Sequence, residues 1–184
     1  VAASFHLNYA SPARRQAEAE WLTTFADKKW RTPDGELVTM PALMGGDRNS
    51  YPAPKTREEV VDRLRLGDIR DRPHRAHRSH PTPDGRRQMD TRPDEILHTA
   101  GLFDLAHHIG TSQALAPTVE ASPTHGPATR IDALYTSHFL TPAVLDVEVI
   151  DMKGLSDHHT VLARLDRTLL IDILRDTPTI TLAA

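Results

Sequence analysis

The sequence predicts a mixed α/β (α+β) fold built on one sheet-centred core. Short apolar, β-prone runs recur along the chain, a helical stripe follows the first of them, and the last third is a succession of strand-like segments. Strands before helices, then consecutive strands, argue for a mixed sheet with helices packed on it. A chain of 184 residues can bury one sizeable core.

Taken in order, Val1–Phe5 is apolar and reads as a central strand. Ser11-Pro12 supplies a helix start, with Ser as N-cap and Pro at the first helical position. Ala17, Trp21 and Phe25 follow at four-residue spacing beside Leu22, so an amphipathic helix is expected to about Asp27, with Trp21 and Phe25 in the core. Thr32-Pro33-Asp34-Gly35 is a turn. Met40–Met44 reads as the next buried strand, ending at Gly45-Gly46.

Tyr51-Pro52-Ala53-Pro54 breaks the chain, and Arg57–Leu66 could form a short helix. The stretch 67–92 is rich in Arg, His, Pro and Asp with almost no apolar residues, which predicts a long surface loop. Within it, His74, His77 and His80 recur every three residues, but without a helix to align them they read as solvated. Its Arg70, Arg72, Arg75, Arg78, Arg86 and Arg87 could meet phosphates, although Asp68, Asp71, Asp84 and Asp90 offset much of their charge. Thr91-Arg92-Pro93-Asp94-Glu95 restarts a helix, with acids in the first turn where they favour the dipole, and Gly101 ends it. Strands are expected at Ala128–Tyr135, Ala143–Ile150 and Thr160–Leu165; in the second, Leu145, Val147 and Val149 share one face. The domain is read as residues 1–168, followed by a tail, 169–184, that could be helix, strand or both.

Composition excludes several classes. There is no cysteine, hence no disulfide or thiolate metal site. The net charge of -3 offers no global basic field for nucleic acid. No run is long enough to span a bilayer, so no membrane span is expected. No signal peptide is visible, and the start at Val1 without methionine points to an absent N-terminal part that could have carried one. The compartment stays open between secreted and cytoplasmic. The excess of arginine over lysine reads as a GC-rich, bacterial coding bias.

Three polar clusters follow the apolar runs: Gly46-Asp47-Arg48-Asn49, Arg130-Ile131-Asp132 and Ser156-Asp157-His158, with His6 near the start as a second imidazole. In an extended segment Asp47 and Asn49 would point the same way. A carboxylate there can orient or deprotonate a water, and a carboxamide can donate to a phosphoryl oxygen. Taken alone, Gly-Asp-x-Asn reads as an Asx turn after a strand. Asp157 offers an oxygen ligand of the kind Mg²⁺ prefers, and His158 an imidazole for a phosphate or nucleophile. Asp132 could hold a histidine ring in one tautomer; it could equally be half of an exposed pair with Arg130.

In this order the clusters resemble the endonuclease/exonuclease/phosphatase superfamily, which includes the DNase I-like nucleases. Ser4-Phe5-His6-Leu7 is similar to the family's histidine-bearing strand, Met44-Gly45-Gly46-Asp47-Arg48-Asn49-Ser50 to its Gly-Asp-x-Asn motif, and Gly101-Leu102-Phe103-Asp104 to the segment between motifs. Arg130-Ile131-Asp132 resembles its Arg-Ile-Asp strand and Leu155-Ser156-Asp157-His158-His159 its terminal Ser-Asp-His motif. The resemblance covers roughly residues 1–165. It implies a DNase I-like four-layer α/β sandwich, of which this chain supplies mainly the C-terminal half, and a phosphodiesterase or nuclease activity by in-line attack of water. A phosphomonoesterase, a lipid phosphodiesterase or a non-catalytic binding fragment are the alternatives. By the same resemblance, the catalytic group is His6, Asp47, Asn49, Asp132 and His158. Asn49, His6 and Arg130 meet substrate, and Asp157 holds Mg²⁺ (Mn²⁺ or Ca²⁺ as alternatives). The expected partners are a phosphoester substrate such as nucleic acid and the missing N-terminal half of the domain, which would bring the Asn and Glu that complete the metal site. Arg48 departs from the usual apolar residue at the motif's middle position and must reach solvent or a partner.

Overall fold

A computed structural model of the chain describes residues 1–55 and 66–175. At its centre is a four-stranded sheet in the order β1-β4-β8-β7. β1 (Ala2–His6) runs parallel to β4 (Leu43–Asp47), which pairs antiparallel with β8 (Asp132–Ser137), and β8 pairs antiparallel with β7 (Leu102–Asp104). The excursion between β1 and β4 holds α1 (Pro12–Leu22) and a hairpin of β2 (Lys29–Arg31) and β3 (Leu37–Thr39), closed by the expected turn at Thr32–Gly35. Ser11 caps α1, its Oγ accepting from the Arg14 N–H at 3.3 Å.

On one face of the sheet α1 packs beside α3 (Arg92–Thr99), and Leu7, Leu22, Met44, Leu97, Leu102 and Tyr135 form the main core. On the other face lies the antiparallel pair β9 (Val144–Ile150) and β10 (Thr160–Leu165). There Leu43 and Leu134 meet Val144, Val147 and Leu105, the first residue of α4 (Leu105–Ile109). The alternation of Leu43 and Met44 between the two faces is the period-two pattern of a strand buried on both sides. A helix, α5 (Arg167–Arg175), closes the described chain, so this part of the tail is helical; residues 176–184 and the helix expected over 57–66 lie outside the described residues, apart from Leu66. Among the described residues no helix is long and apolar enough to cross a membrane.

Several boundaries differ from the sequence reading. α1 ends at Leu22 and continues as a 3₁₀ turn, Thr23–Phe25. Its buried residues are Arg15, Ala19 and Leu22, and Trp21 is 64% exposed, edge-on to Phe25. The apolar stripe misled because the buried face uses an arginine. The strand expected at Met40–Met44 runs through the glycines to Asp47, and the strand expected from Ala128 begins at Asp132. In β9 a bulge opposite Arg164/Leu165 leaves Leu145 without a cross-strand partner and turns it outward, while Val147 is buried.

The stretch expected as a surface loop is instead folded against the body. It contains α2 (Arg72–His77) and a hairpin of β5 (Ser79–Pro81) and β6 (Arg87–Met89). Ile69 and Met89 pack with Tyr51. What the apolar pattern could not show is that the rest of the attachment is polar and buried. Arg15 on α1 donates to Asp90 at 2.6 Å and 3.0 Å and to the His77 carbonyl, while its other bonds, to the Asn8 and Tyr9 carbonyls, hold it to its own end of the chain.

Gly46 sets how closely β1 and β4 approach. A Cβ there would stand 1.8 Å from the Phe5 carbonyl oxygen. Gly46→Ala is therefore expected to push β1 away and destabilise the fold by about 3 kcal/mol, the upper end for overpacked sites. Urea unfolding checks this, and a loss below about 1 kcal/mol would contradict the packing described.

Candidate active site

Strand pairing builds the site. The parallel register sets His6 beside Asp47 at the ends of β1 and β4, and the antiparallel register sets Asp132, the first residue of β8, on the other side of Asp47. Three side chains from distant parts of the sequence thus stand in a row at one edge of the sheet. His158 joins them through the loop before β10. Thr118, fully buried, organises that approach: its Oγ accepts from the N–H groups of Ile131 and Asp132, and its carbonyl accepts from the His159 N–H at 2.7 Å. Sequence reading passed over Thr118, because a lone threonine in a loop carries no signal.

The Asp132 carboxylate lies 3.0 Å and 3.2 Å from His158 Nδ1. A carboxylate can only accept, so the ring donates from Nδ1 and Nε2 is left to face a ligand. His6 Nε2 is 3.6 Å from Asp47 Oδ2, and its side chain is largely exposed. Asp47 is 9% exposed. Burial, and then the nearby charge of Asp132, push its carboxyl above the ordinary carboxylate range, against an opposing hydrogen bond from Asn49.

Asn49 is not extended. It has φ +51, and its N–H donates to Asp47 Oδ1 at 2.6 Å, which is an Asx turn. Its side-chain amide donates to the Leu7 carbonyl at 2.9 Å. The asparagine thereby ties the end of β4 to the chain leaving β1. Asp157 is exposed beside His158 and stands apart from the group Asp47, Asp132 and His158. Arg130, expected to meet substrate, is buried away from the site, 2.8 Å from Asp104 Oδ2. Asp132 and Arg130 therefore do not share an exposed pair; each is held by a different partner.

His6, Asp47, Asn49, Asp157 and His158 line one cavity of about 640 Å³. Its far wall is Tyr9, Tyr51, His74, Arg78 and His125; the sequence marks only Arg78, among arginines that could meet phosphates, and His74, expected to be solvated, and gives no signal for the other three. His74 and His77 lie on a helix after all, α2, and His74 is buried. Among the described residues, Asp47, Asp132 and His158 each offer one ligand atom within 4.8 Å of the others. Two carboxylate oxygens and one imidazole nitrogen suit a hard divalent cation such as Mg²⁺ or Mn²⁺.

The raised Asp47 pKa makes a stability prediction for metal-free protein. The folded state holds this proton more tightly than the unfolded chain, whose carboxyl has the ordinary value. Stability therefore falls as pH rises from about 4 through the folded value, and the ionised group is a net liability at pH 7. Asp47→Asn keeps an oxygen for the Asn49 N–H and should gain about 0.5–2 kcal/mol at pH 7 but little at pH 3. Thermal melts in chelator at both pH values test this; equal effects at the two would remove the electrostatic cause.

No family model matches the sequence, and no curated protein does. Solved structures do. The 3'-5' exonuclease NExo of Neisseria meningitidis is 16% identical with a TM-score of 0.55, over 89% of this chain and 60% of that one. The Neisseria 3' phosphatase NExo bound to a product DNA hairpin is 17% identical with the same coverage and TM-score. An AP endonuclease of Archaeoglobus fulgidus is 18% identical with a TM-score of 0.52, again over 89% and 60%. The chain spans about three fifths of the length of these structures. The chain shares the DNase I-like α/β fold of these structures, over a part of their length.

Proposed function

We propose that this chain carries much of the active site of a divalent-metal-dependent phosphoester hydrolase, acting on phosphodiesters in the manner of a nuclease. The observation that carries this reading is the row His6, Asp47, Asp132 at three paired strand ends, with His158 hydrogen-bonded to Asp132 in front of the same cavity. Asp47 holds the attacking water through Oδ2, its other oxygen being fixed by the Asn49 N–H. His6 and the Asn49 amide meet the non-bridging oxygens of the phosphate. Asp132 keeps His158 in one orientation, with Nε2 turned to substrate. Asp47 and Asp132 are the carboxylates that would hold a divalent cation, with Asp157 on the lining of the same cavity as a further oxygen donor apart from them. The bound cation would neutralise charge developing on the phosphoryl group.

The structural neighbours support the reaction class: two are nucleases and one is a 3' phosphatase bound to a DNA product. The 3' phosphatase keeps phosphomonoester hydrolysis as a second reading. Because the chain spans only part of those structures, a non-catalytic binding fragment is the competing class. Hydrolysis of plasmid DNA, bis(p-nitrophenyl) phosphate and p-nitrophenyl phosphate by the complete polypeptide, with Mg²⁺ or Mn²⁺ and with chelator, separates the three. Diester cleavage abolished by chelation supports the proposal. Turnover of the monoester alone shifts it to a phosphatase, and no turnover of any substrate sinks it.

A further inference from the structure

The far wall of the cavity holds a charge that the proposed reaction does not use. Arg78 is 6% exposed, and it lines the same cavity as Asp47 and Asn49. Its Nε donates to His74 Nε2 at 3.3 Å, and the Tyr9 ring lies under the guanidinium, 5.3 Å from its carbon to the ring centroid. Its Nη1 is buried with no hydrogen-bond partner, and among the described residues no carboxylate lies in ion-pair contact with it. Arginine is selected where planar anions are bound, and a buried guanidinium with an unmade hydrogen bond costs stability until an anion arrives.

The clamp around Arg78 is built for one orientation. Because the guanidinium can only donate, His74 Nε2 must be the acceptor, so the His74 hydrogen sits on Nδ1, 3.0 Å from the Tyr9 hydroxyl. Burial, together with the Arg78 charge, holds the His74 pKa down to about 4, so the ring stays neutral at pH 7. His125 packs on His74 at 4.4 Å between ring centroids. One edge and one face of the guanidinium are thus fixed, and the remaining edge is left for a ligand.

We propose that Arg78 forms an anion subsite for a second phosphate group of the substrate, next to the phosphate cleaved at Asp47. The proposal rests on the phosphoester reading above and narrows its substrate class to molecules bearing at least two phosphates, of which an oligonucleotide is one and bis(p-nitrophenyl) phosphate is not. Tyr9 and His74 are positioning residues for this guanidinium.

The test separates the subsite from the reaction. Pyrophosphate binding to the complete polypeptide is measured by calorimetry with divalent cations chelated. Arg78→Gln should weaken it about 10- to 100-fold, the worth of a hydrogen bond to a charged group, while Arg78→Lys should recover part of the loss. The Arg78 Nε–H resonance, identified by its contacts to the Tyr9 ring, should shift on titrating wild-type protein with pyrophosphate; this needs no variant to fold. In the hydrolysis assay, the loss of kcat/KM in Arg78→Gln should be about tenfold greater for an oligonucleotide than for bis(p-nitrophenyl) phosphate. Equal pyrophosphate binding by wild type and Arg78→Gln, or an unmoved Arg78 resonance, overturns the subsite even where hydrolysis stands. Absence of hydrolysis with Arg78-dependent pyrophosphate binding instead sinks the reaction and leaves the subsite.

Discussion

Asp47→Ala is expected to lower kcat/KM for phosphodiester cleavage by at least about a thousandfold while the chain stays folded. The magnitude follows from what the group does: a positioned base contributes about 10²- to 10⁴-fold. The carboxylate is also the middle member of the row His6, Asp47, Asp132, so its loss leaves Asp132 and His158 without the group that connects them to Asn49. Folding should survive, because alanine removes a charge that burial disfavours and leaves the β4 pairing intact. The contrast with Asp47→Asn is informative. That variant keeps the oxygen that receives the Asn49 N–H but cannot take a proton from water, so it should be nearly as inactive while gaining stability. Activity within tenfold of wild type in either variant, measured on bis(p-nitrophenyl) phosphate with Mg²⁺, would remove Asp47 from the reaction.

The same residues show how far the sequence could be read. Asp47, Asp132 and His158 could be picked out because each ends or begins an apolar run, where a polar cluster is conspicuous. Their meeting could not be derived, since it depends on β1 pairing parallel and β8 antiparallel to β4, and strand order is not encoded in periodicity. The local geometry of Asn49 was legible only as its blander reading, the Asx turn. Arg78 could be marked as a phosphate contact, but the folding of the segment around it was hidden for a different reason. Hydrophobic pattern finds elements that bury apolar faces, and 66–91 is anchored largely by buried arginines: Arg15 on Asp90 and the His77 carbonyl, and Arg78 against the Tyr9 ring. Arg130 lies off the cavity lining because a strand position does not say which carboxylate the guanidinium will find, and it finds Asp104.

Arg48 is the extreme case of that polar core, and Arg48→Met is expected to destabilise the chain by about 3–5 kcal/mol at pH 7, the cost of breaking a buried ion pair from one side. The guanidinium is fully buried. It donates at 2.8 Å to both Asp94 and the Tyr135 hydroxyl, and at 3.0 Å to the Arg130 carbonyl, with Asp104 at 3.7 Å. Tyr135 also hydrogen-bonds Asp94. The sequence demanded that Arg48 find a partner; the structure shows it tying β4, β8, α3 and the end of β7 together behind the row of His6, Asp47 and Asp132. Burial would raise the Asp94 pKa, but the Arg48 charge together with the hydrogen bonds from Tyr135 and the Ala53 N–H outweighs it and holds the carboxyl below its ordinary value. A depressed folded pKa gives stability that is present above about pH 4, the unfolded value, and is lost as pH falls below it. In Arg48→Met the buried carboxylate loses that charge, its pKa should rise, and ionising it should then cost stability. The gap between wild type and variant must therefore widen from acid to neutral pH. Urea unfolding at pH 4 and pH 7 reads this directly, and Asp94→Leu combined with Arg48→Met should recover a large share of the loss, since an apolar pair of similar volume leaves no unpaired charge. A pH-independent loss, or one below about 1 kcal/mol, would mean that the arginine serves as packing and that its charge network contributes little.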